Sequence, residues 1–180
     1  PQVYMIVDGY SARVIRELYT HIGGSPTRLQ ASTRYINYQK GFPYVVPPKI
    51  AADEQAEKIY CQAMDSILTA MQELEKLEKP REDVGMLLPL GMETKVVLRT
   101  NMRNLIDMAH QRMCSRAYWE FRQLMNDMCK ALSGYSEEWK YLVEHYFVPK
   151  CEVSGFCTET KCCGRKPKLN EADERPDKNG

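Results

Sequence analysis

Two stretches of this 180-residue chain hold more polar chemistry than packing alone requires. The first, ELYTHIGGSPTRLQASTRY from Glu17 to Tyr35, ends a helix-like segment in Gly23-Gly24 and then gathers Thr27, Arg28, Gln30, Ser32, Thr33 and Arg34. Backbone N–H groups, hydroxyls and guanidiniums are the donors a phosphate needs, and arginine can bind one as a bidentate fork. By composition alone the same stretch also fits a solvated polar loop. The second, TNMRNLIDMAHQRMCSRAYWE from Thr100 to Glu120, puts Asn101, Asn104 and Gln111 beside Arg103, Asp107 and Arg112 on one helical run. Arg103 and Asp107 lie one turn apart and also fit an ordinary surface ion pair.

Familiar nucleotide cradles are absent: neither stretch carries G-x-G-x-x-G or a P-loop. A serine nucleophile elbow is missing as well. The histidines at 21, 110 and 145 are too scattered in sequence to assert a triad or a metal site. His21, beside Gly-Gly at a helix end, is the functional candidate; His110 and His145 read as structural or exposed. Cys151-x5-Cys157-x4-Cys162-Cys163 superficially suggests zinc. Its spacing lacks the usual C-x2–4-C pair, and adjacent cysteines rarely ligate one tetrahedral ion together, so free thiols are expected and no metal.

The positioning elements follow from periodicity. Val3 to Val7 reads as a buried strand stopped by Asp8-Gly9. Ser11 then caps a helix with Val14, Ile15 and Leu18 on its apolar face, ended by Gly23-Gly24-Ser25-Pro26. Residues 34–38 alternate weakly and suggest a strand or extended segment, and 42–48, with three prolines, a loop. The clearest helix is expected over 51–78, with Ile59, Ala63, Ile67, Met71 and Leu74 on one face and Pro80 as its stop. Residues 86–90 read as a buried turn and 95–99 as a strand. Thr100 or Asn101 caps the next helix, through Leu105, Ile106 and Ala109. Further helices are expected over 116–132, closed by Ser133-Gly134, and from Ser136 to near Phe147. Residues 164–180 read as a disordered tail. The sum is a helix-rich α/β (α+β) fold, with one domain over 1–150 and a cysteine-bearing, charged tail over 151–180.

Composition narrows the class. Hydrophobic residues at 43% and charged residues at 27% are ordinary globular values. A net charge of +1 gives no reason to expect nucleic acid as partner. No apolar run approaches the roughly 20 residues of a membrane span. Seven cysteines, an odd number, fit a reducing cytoplasm better than a disulfide framework. The start at Pro1, without Met and straight into an apolar run, reads as a chain lacking its front segment.

Taken together, the two polar stretches resemble the flavin-dependent thymidylate synthases. That family carries Arg-His-Arg followed by a polar stretch ending Glu/Gln-x-Ser-x-Arg-Tyr, and Gln30-Ala31-Ser32-Thr33-Arg34-Tyr35 is similar to that ending. Its Arg-His-Arg falls on Thr20, His21 and Ile22. Leu88-Pro89, Asn101-Met102-Arg103, Arg112 and Ala117-Tyr118-Trp119-Glu120 follow in the family's order and spacing. The chain departs from the family at Thr20 and Ile22, at Gly85 in place of an arginine, at Asp107 in place of a neutral or basic residue, and at Tyr118 in place of glutamine.

The resemblance implies methylation of dUMP to dTMP, with reduced FAD as hydride source, NADPH as reductant and methylenetetrahydrofolate as carbon donor. It places Glu17, Gln30, Ser32 and Arg34 around dUMP, with Ser32 and Arg34 on its phosphate. Arg112 would face the uracil and favour its ionisation at N3. Thr20, His21, Ile22, Asn101, Arg103 and Asp107 would line the flavin. A homotetramer with sites shared between chains is implied as well. No cysteine nucleophile in a Pro-Cys-His context occurs, which fits chemistry done by the cofactor rather than by a covalent enzyme intermediate. A divergent homologue that binds a pyrimidine nucleotide without turnover, or hydroxymethylates it, is the alternative.

Overall fold

The computed structural model of the chain describes residues 1–38 and 40–169. Its elements are β1 (Gln2–Ser11), α1 (Ala12–Leu18), β2 (Thr27–Gln30), α2 (Pro48–Ala51), α3 (Glu54–Lys76), α4 (Arg81–Val84), β3 (Glu93–Asn101), α5 (Met102–Arg112), α6 (Trp119–Ser133), α7 (Glu137–Tyr146) and α8 (Lys150–Ser154). Helices dominate, and the three strands form one sheet in the order β1-β3-β2, as a helix-rich α/β pattern requires. Contacts divide the chain into two compact units. One comprises Val3–Thr20 and Pro26–Arg99; the other comprises Pro1–Gln2, His21–Ser25 and the chain from Thr100 onward.

In the first unit β1 runs past Asp8-Gly9 to Ser11, because Gly9 takes a φ of 75° that lets the strand kink and continue. Nor is the strand buried on both faces: Val3 and Val7 are buried, whereas Tyr4 and Ile6 are 71% and 70% exposed. Ser11 caps α1 as its sequence position suggests, its hydroxyl oxygen accepting from the Val14 N–H at 3.2 Å. Val14, Ile15 and Leu18 are the buried face of that helix.

The strand expected over 34–38 lies instead at Thr27–Gln30, antiparallel to β3, with Leu29 opposite Val97 and Gln30 opposite Val96. Residues 33–35 turn, because the Ser32 hydroxyl oxygen accepts from the Arg34 N–H at 3.3 Å and the Ser32 carbonyl accepts from the Tyr35 N–H at 3.3 Å. Local hydroxyl-to-backbone bonding of this kind outcompetes a weak alternation.

Helix α3 begins after Asp53, whose carboxylate accepts from the N–H groups of Gln55 and Ala56, both at 3.0 Å. Its packed face is rotated from the one read from sequence. Met64 and Met71 are buried, flanked by Tyr60, Ile67, Leu68 and Leu74, against Tyr38, Phe42, Val84 and Met92. Ile59 is 61% exposed, and Ala63 is exposed too. Two overlapping apolar stripes exist on this helix, and tertiary partners rather than periodicity choose between them. The proline-rich segment before it is not all loop, since Pro48, at the first position of α2, fits a helix start. Residues 86–90 form a surface turn rather than a buried one: a 3-10 turn covers Gly85–Leu87, and Met86 is 85% exposed.

In the second unit Asn101 caps α5, its side-chain oxygen accepting from the Asn104 N–H at 2.9 Å. Leu105, Met108 and Ala109 form its buried face. Helix α6 starts at Trp119 rather than 116, with Tyr118 extended before it, and packs against both α5 and α7. Ser136 caps α7, its hydroxyl oxygen accepting from the Trp139 N–H at 3.2 Å.

The chain after Pro149 is more ordered than its composition suggests. It forms α8, then folds back so that Cys157 pairs with Lys168 and its N–H donates to the Pro167 carbonyl at 2.7 Å. Lys166 bridges to Glu152 at 2.8 Å. Residues 164–169 are therefore structured, which corrects that part of the expected tail; the remainder, 170–180, lies outside the described residues. All seven cysteines are free thiols. Among the described residues no helix is long and apolar enough to cross a membrane.

The rotated face of α3 yields a stability prediction. Met71→Ala should cost about 2–5 kcal/mol in urea unfolding, as buried Met→Ala changes do, whereas Ile59→Ala should stay within about 0.5 kcal/mol. Equal losses would mean that the 59/63 stripe is the packed one.

Candidate functional site

In the second unit the pieces come from α5, the His21–Ser25 loop and the start of α6. Arg112, at the last position of α5, donates from Nε to His21 Nε2 at 2.9 Å. A ring nitrogen that accepts from a guanidinium must carry a lone pair, so this bond requires neutral His21 with its proton on Nδ1. Phe121, wholly buried in the first turn of α6, supports both groups. The Arg112 Cζ lies 4.6 Å from its ring centroid, and the His21 ring meets it edge to face at 5.5 Å. A cation over an aromatic face and an aromatic edge pair are each worth about 0.5–1.5 kcal/mol, and here they also fix where the charge stands.

The loop after His21 rests on Asn101, the cap of α5. Asn101 Nδ2 donates to the Gly24 carbonyl at 3.5 Å, and Asn104, buried, donates to Thr100 Oγ1 at 2.8 Å. Gly24, with φ at 69°, leaves no room for a side chain, because a Cβ there would run into the Asn101 amide. A Cβ on Gly23 would come within 3.1 Å of Asn104 Oδ1. At Gly24 glycine is therefore required by contact as well as by conformation, whereas at Gly23 a Cβ would need Asn104 to give by a few tenths of an ångström. Arg103 and Asp107 lie on the exposed face of α5, and no ion pair joins them, so the simple surface-pair reading of these two does not hold. Ile22, which follows His21 in the chain, is 74% exposed.

In the first unit the turn Ser32–Tyr35 presents Ser32 and Arg34, both exposed, at the end of β2. Gln30, the last residue of that strand, donates from Nε2 to Thr94 Oγ1 at 3.4 Å. Arg34 is held by Glu82 at 2.9 Å, across a pair whose side chains are 63% and 57% exposed. Gly85 lies under the same turn, where a Cβ would stand 3.9 Å from the Thr33 carbonyl oxygen. At the end of α1 the Thr20 hydroxyl donates to the Glu17 carbonyl at 2.7 Å, which engages Thr20 with its own backbone.

The first unit thus gathers Gln30, Ser32 and Arg34 at the end of β2 and the turn after it, and the second gathers His21, Asn101 and Arg112. Two participants escape a reading of residue types: Phe121, the platform under Arg112, and Glu82, which holds Arg34. Phe121 follows Trp119-Glu120 directly, so its place next to the motif was the available signal. Glu82 stands in a charged stretch that gives none.

The family model described as thymidylate synthase complementing protein (Thy1) matches residues 1–135. The chain belongs to this family. A flavin-dependent thymidylate synthase of Geobacter sulfurreducens is 33% identical over 129 residues, covering 71% of this chain and 55% of the relative. One from Clostridium tetani is 28% identical over 181 residues, covering 91% of this chain and 70% of the relative. The chain thus spans about half the length of the Geobacter protein and somewhat more of the Clostridium one. Among solved structures, a flavin-dependent thymidylate synthase from Helicobacter pylori, complexed with FAD and dUMP, superposes with a TM-score of 0.64 at 18% identity, over 81% of this chain and 72% of that one. That likeness shows that the Thy1 fold is shared.

The glycine loop gives a direct test. Gly24→Ala combines a left-handed backbone with a clash against Asn101, and should cost about 2–4 kcal/mol, lowering Tm by roughly 5–10 °C. Gly155→Ala, also at positive φ but with nothing within 4 Å, should cost only about 1–2 kcal/mol. Similar losses at both would show that Asn101 does not close over Gly24.

Proposed function

We propose that the protein is a flavin-dependent thymidylate synthase that methylates dUMP to dTMP. FAD is its cofactor, NADPH the reductant and methylenetetrahydrofolate the carbon donor, and it works as a homotetramer whose sites draw on more than one chain. The observation that carries this reading is Arg112, held through Nε by His21 over the Phe121 ring, in a chain of the Thy1 family.

The residues suit a flavin dinucleotide. Bare backbone at Gly23-Gly24, the cation Arg103 and the amide of Asn101 are the donors a diphosphate takes, and exposed Ile22 is an apolar neighbour for a ring system. Thr20 and His21 complete that set, and Asp107 stands one turn along α5 from Arg103, which moderates its charge toward an anionic ligand. When bound, reduced FAD supplies the hydride.

On the nucleotide side, Ser32 and Arg34 bind the dUMP phosphate, with Gln30 and Glu17 along the nucleotide. Their turn is preformed by its own hydroxyl-to-backbone bond, so less order is lost when the phosphate docks. Arg112 faces the uracil. A fixed guanidinium at N3 favours the deprotonated ring, and the added electron density raises the nucleophilicity of C5 toward the carbon unit. His21 keeps that guanidinium from swinging away, and acts as a positioning residue for it.

Three experiments test these roles. Arg112→Ala should lower dTMP formation by at least about 100-fold while FAD stays bound, as loss of an electrostatic stabiliser does; unchanged turnover would remove Arg112 from the chemistry. Ser32→Ala with Arg34→Ala should weaken dUMP and spare FAD in equilibrium titrations, and equal weakening of both ligands would place the phosphate elsewhere. Glu82→Gln, which releases Arg34 from an exposed pair worth at most about 1 kcal/mol, should tighten dUMP by roughly two- to fivefold.

A further inference from the structure

Beyond α5 the second unit holds a cavity of about 220 Å³ that none of the roles above uses. One wall is the end of α5 and the segment after it, including His110, Cys114 and Arg116; the other is the folded-back chain from Pro149 to Arg165. That second wall lies past residue 135, where the family match ends. Arg116, Lys150, Lys161 and Arg165 line the cavity against one carboxylate, Glu159. Among the described residues none of these four cations makes an ion pair. Four cations against one carboxylate around one concave space raise the local concentration of anions.

Thiols line the same space. Cys163 is exposed at its edge, while Cys114, Cys151 and Cys157 stand further along the lining. The chain holds the Cys163 thiol below its ordinary range, chiefly through a hydrogen bond with the Ser115 side chain, aided by the Arg165 backbone and charge. Cys129 is the contrast: burial pushes its thiol up to about 11, which makes it inert. An accessible thiol in an electropositive concavity is the setting in which cysteines react.

We propose that this cavity is a second ligand site, one that draws in small anionic disulfides and exchanges them with Cys163. The Cys163 thiolate attacks one sulfur of R–S–S–R, where R carries a carboxylate. A bond forms between Cys163 Sγ and the attacked sulfur as the S–S bond of the reagent breaks; the other half leaves as the thiolate R–S⁻ and takes up the proton that Cys163 released. Cys163 is oxidised and the departing half reduced, so the disulfide itself is the oxidant. The carboxylate of the retained half lies among Lys150, Lys161, Arg165 and Arg116. The inference is independent of the flavin and dUMP assignments.

The test compares three short disulfides on the intact protein: dithiodipropionate (two carboxylates), hydroxyethyl disulfide (neutral) and cystamine (two ammoniums). Cystamine carries the better leaving thiol, so each rate is divided by the rate of the same reagent with the urea-unfolded chain. The normalised rate at Cys163, followed by peptide mass mapping, should be at least about tenfold higher for dithiodipropionate than for cystamine, with the neutral reagent between. That order should collapse as salt is raised toward 1 M. Lys161→Gln with Arg165→Gln should shrink the preference, and Cys163→Ser should abolish the adduct. Normalised rates within about threefold of one another, or an adduct mapping chiefly to another cysteine, would overturn the proposal; the wild-type comparison decides even if a variant fails to fold.

Discussion

The hydrogen bond from Arg112 Nε to His21 Nε2 is the contact on which the candidate site depends. It joins the end of a helix to a loop 91 residues earlier in the chain, and it fixes a charge above a buried ring. An arginine side chain has about 2 kcal/mol of rotamer freedom to lose, and a partner bonded at Nε together with an aromatic platform under Cζ removes most of it in advance. Neutral histidine is part of the same arrangement, since a protonated ring would set two cations 2.9 Å apart. Phe121, buried on α6, is the floor that keeps the pair in place.

The loop carrying His21 is shaped by contacts of the same order. Asn101 serves twice, as the cap of α5 and as donor to Gly24, so the residue that starts the helix also fixes the loop at its end. Such double use explains why Gly24 has no room for a side chain. In the first unit a comparable economy holds the Ser32–Tyr35 turn, where one hydroxyl sets the backbone and Glu82 orients Arg34 from outside. Each unit is therefore organised by contacts of its own.

Much of this was legible in the sequence because it depends on local chemistry. Ser11, Asn101 and Ser136 cap helices through their own side chains, and a cap needs only its neighbours. Gln30-Ala31-Ser32-Thr33-Arg34-Tyr35 and Asn101-Met102-Arg103 carried the family likeness, which the match over residues 1–135 bears out. What sequence did not give depends on distant partners. The face of α3 is chosen by Tyr38, Phe42, Val84 and Met92, none of which a periodicity count can see. The strand at Thr27–Gln30 exists because β3 offers Val96 to Arg99 as partners. Residues 157–168 pair across a short loop although their composition is that of a solvated tail. Phe121 and Glu82 entered the site for the same reason: their contribution is a contact made across the fold.

The most direct measurement of the central claim is the visible absorbance spectrum of the purified protein supplied with FAD, recorded before and after dUMP is added. The proposed function predicts a protein-bound flavin band that survives gel filtration and shifts when dUMP binds. A protein that retains no flavin, or a flavin band indifferent to saturating dUMP, would contradict it.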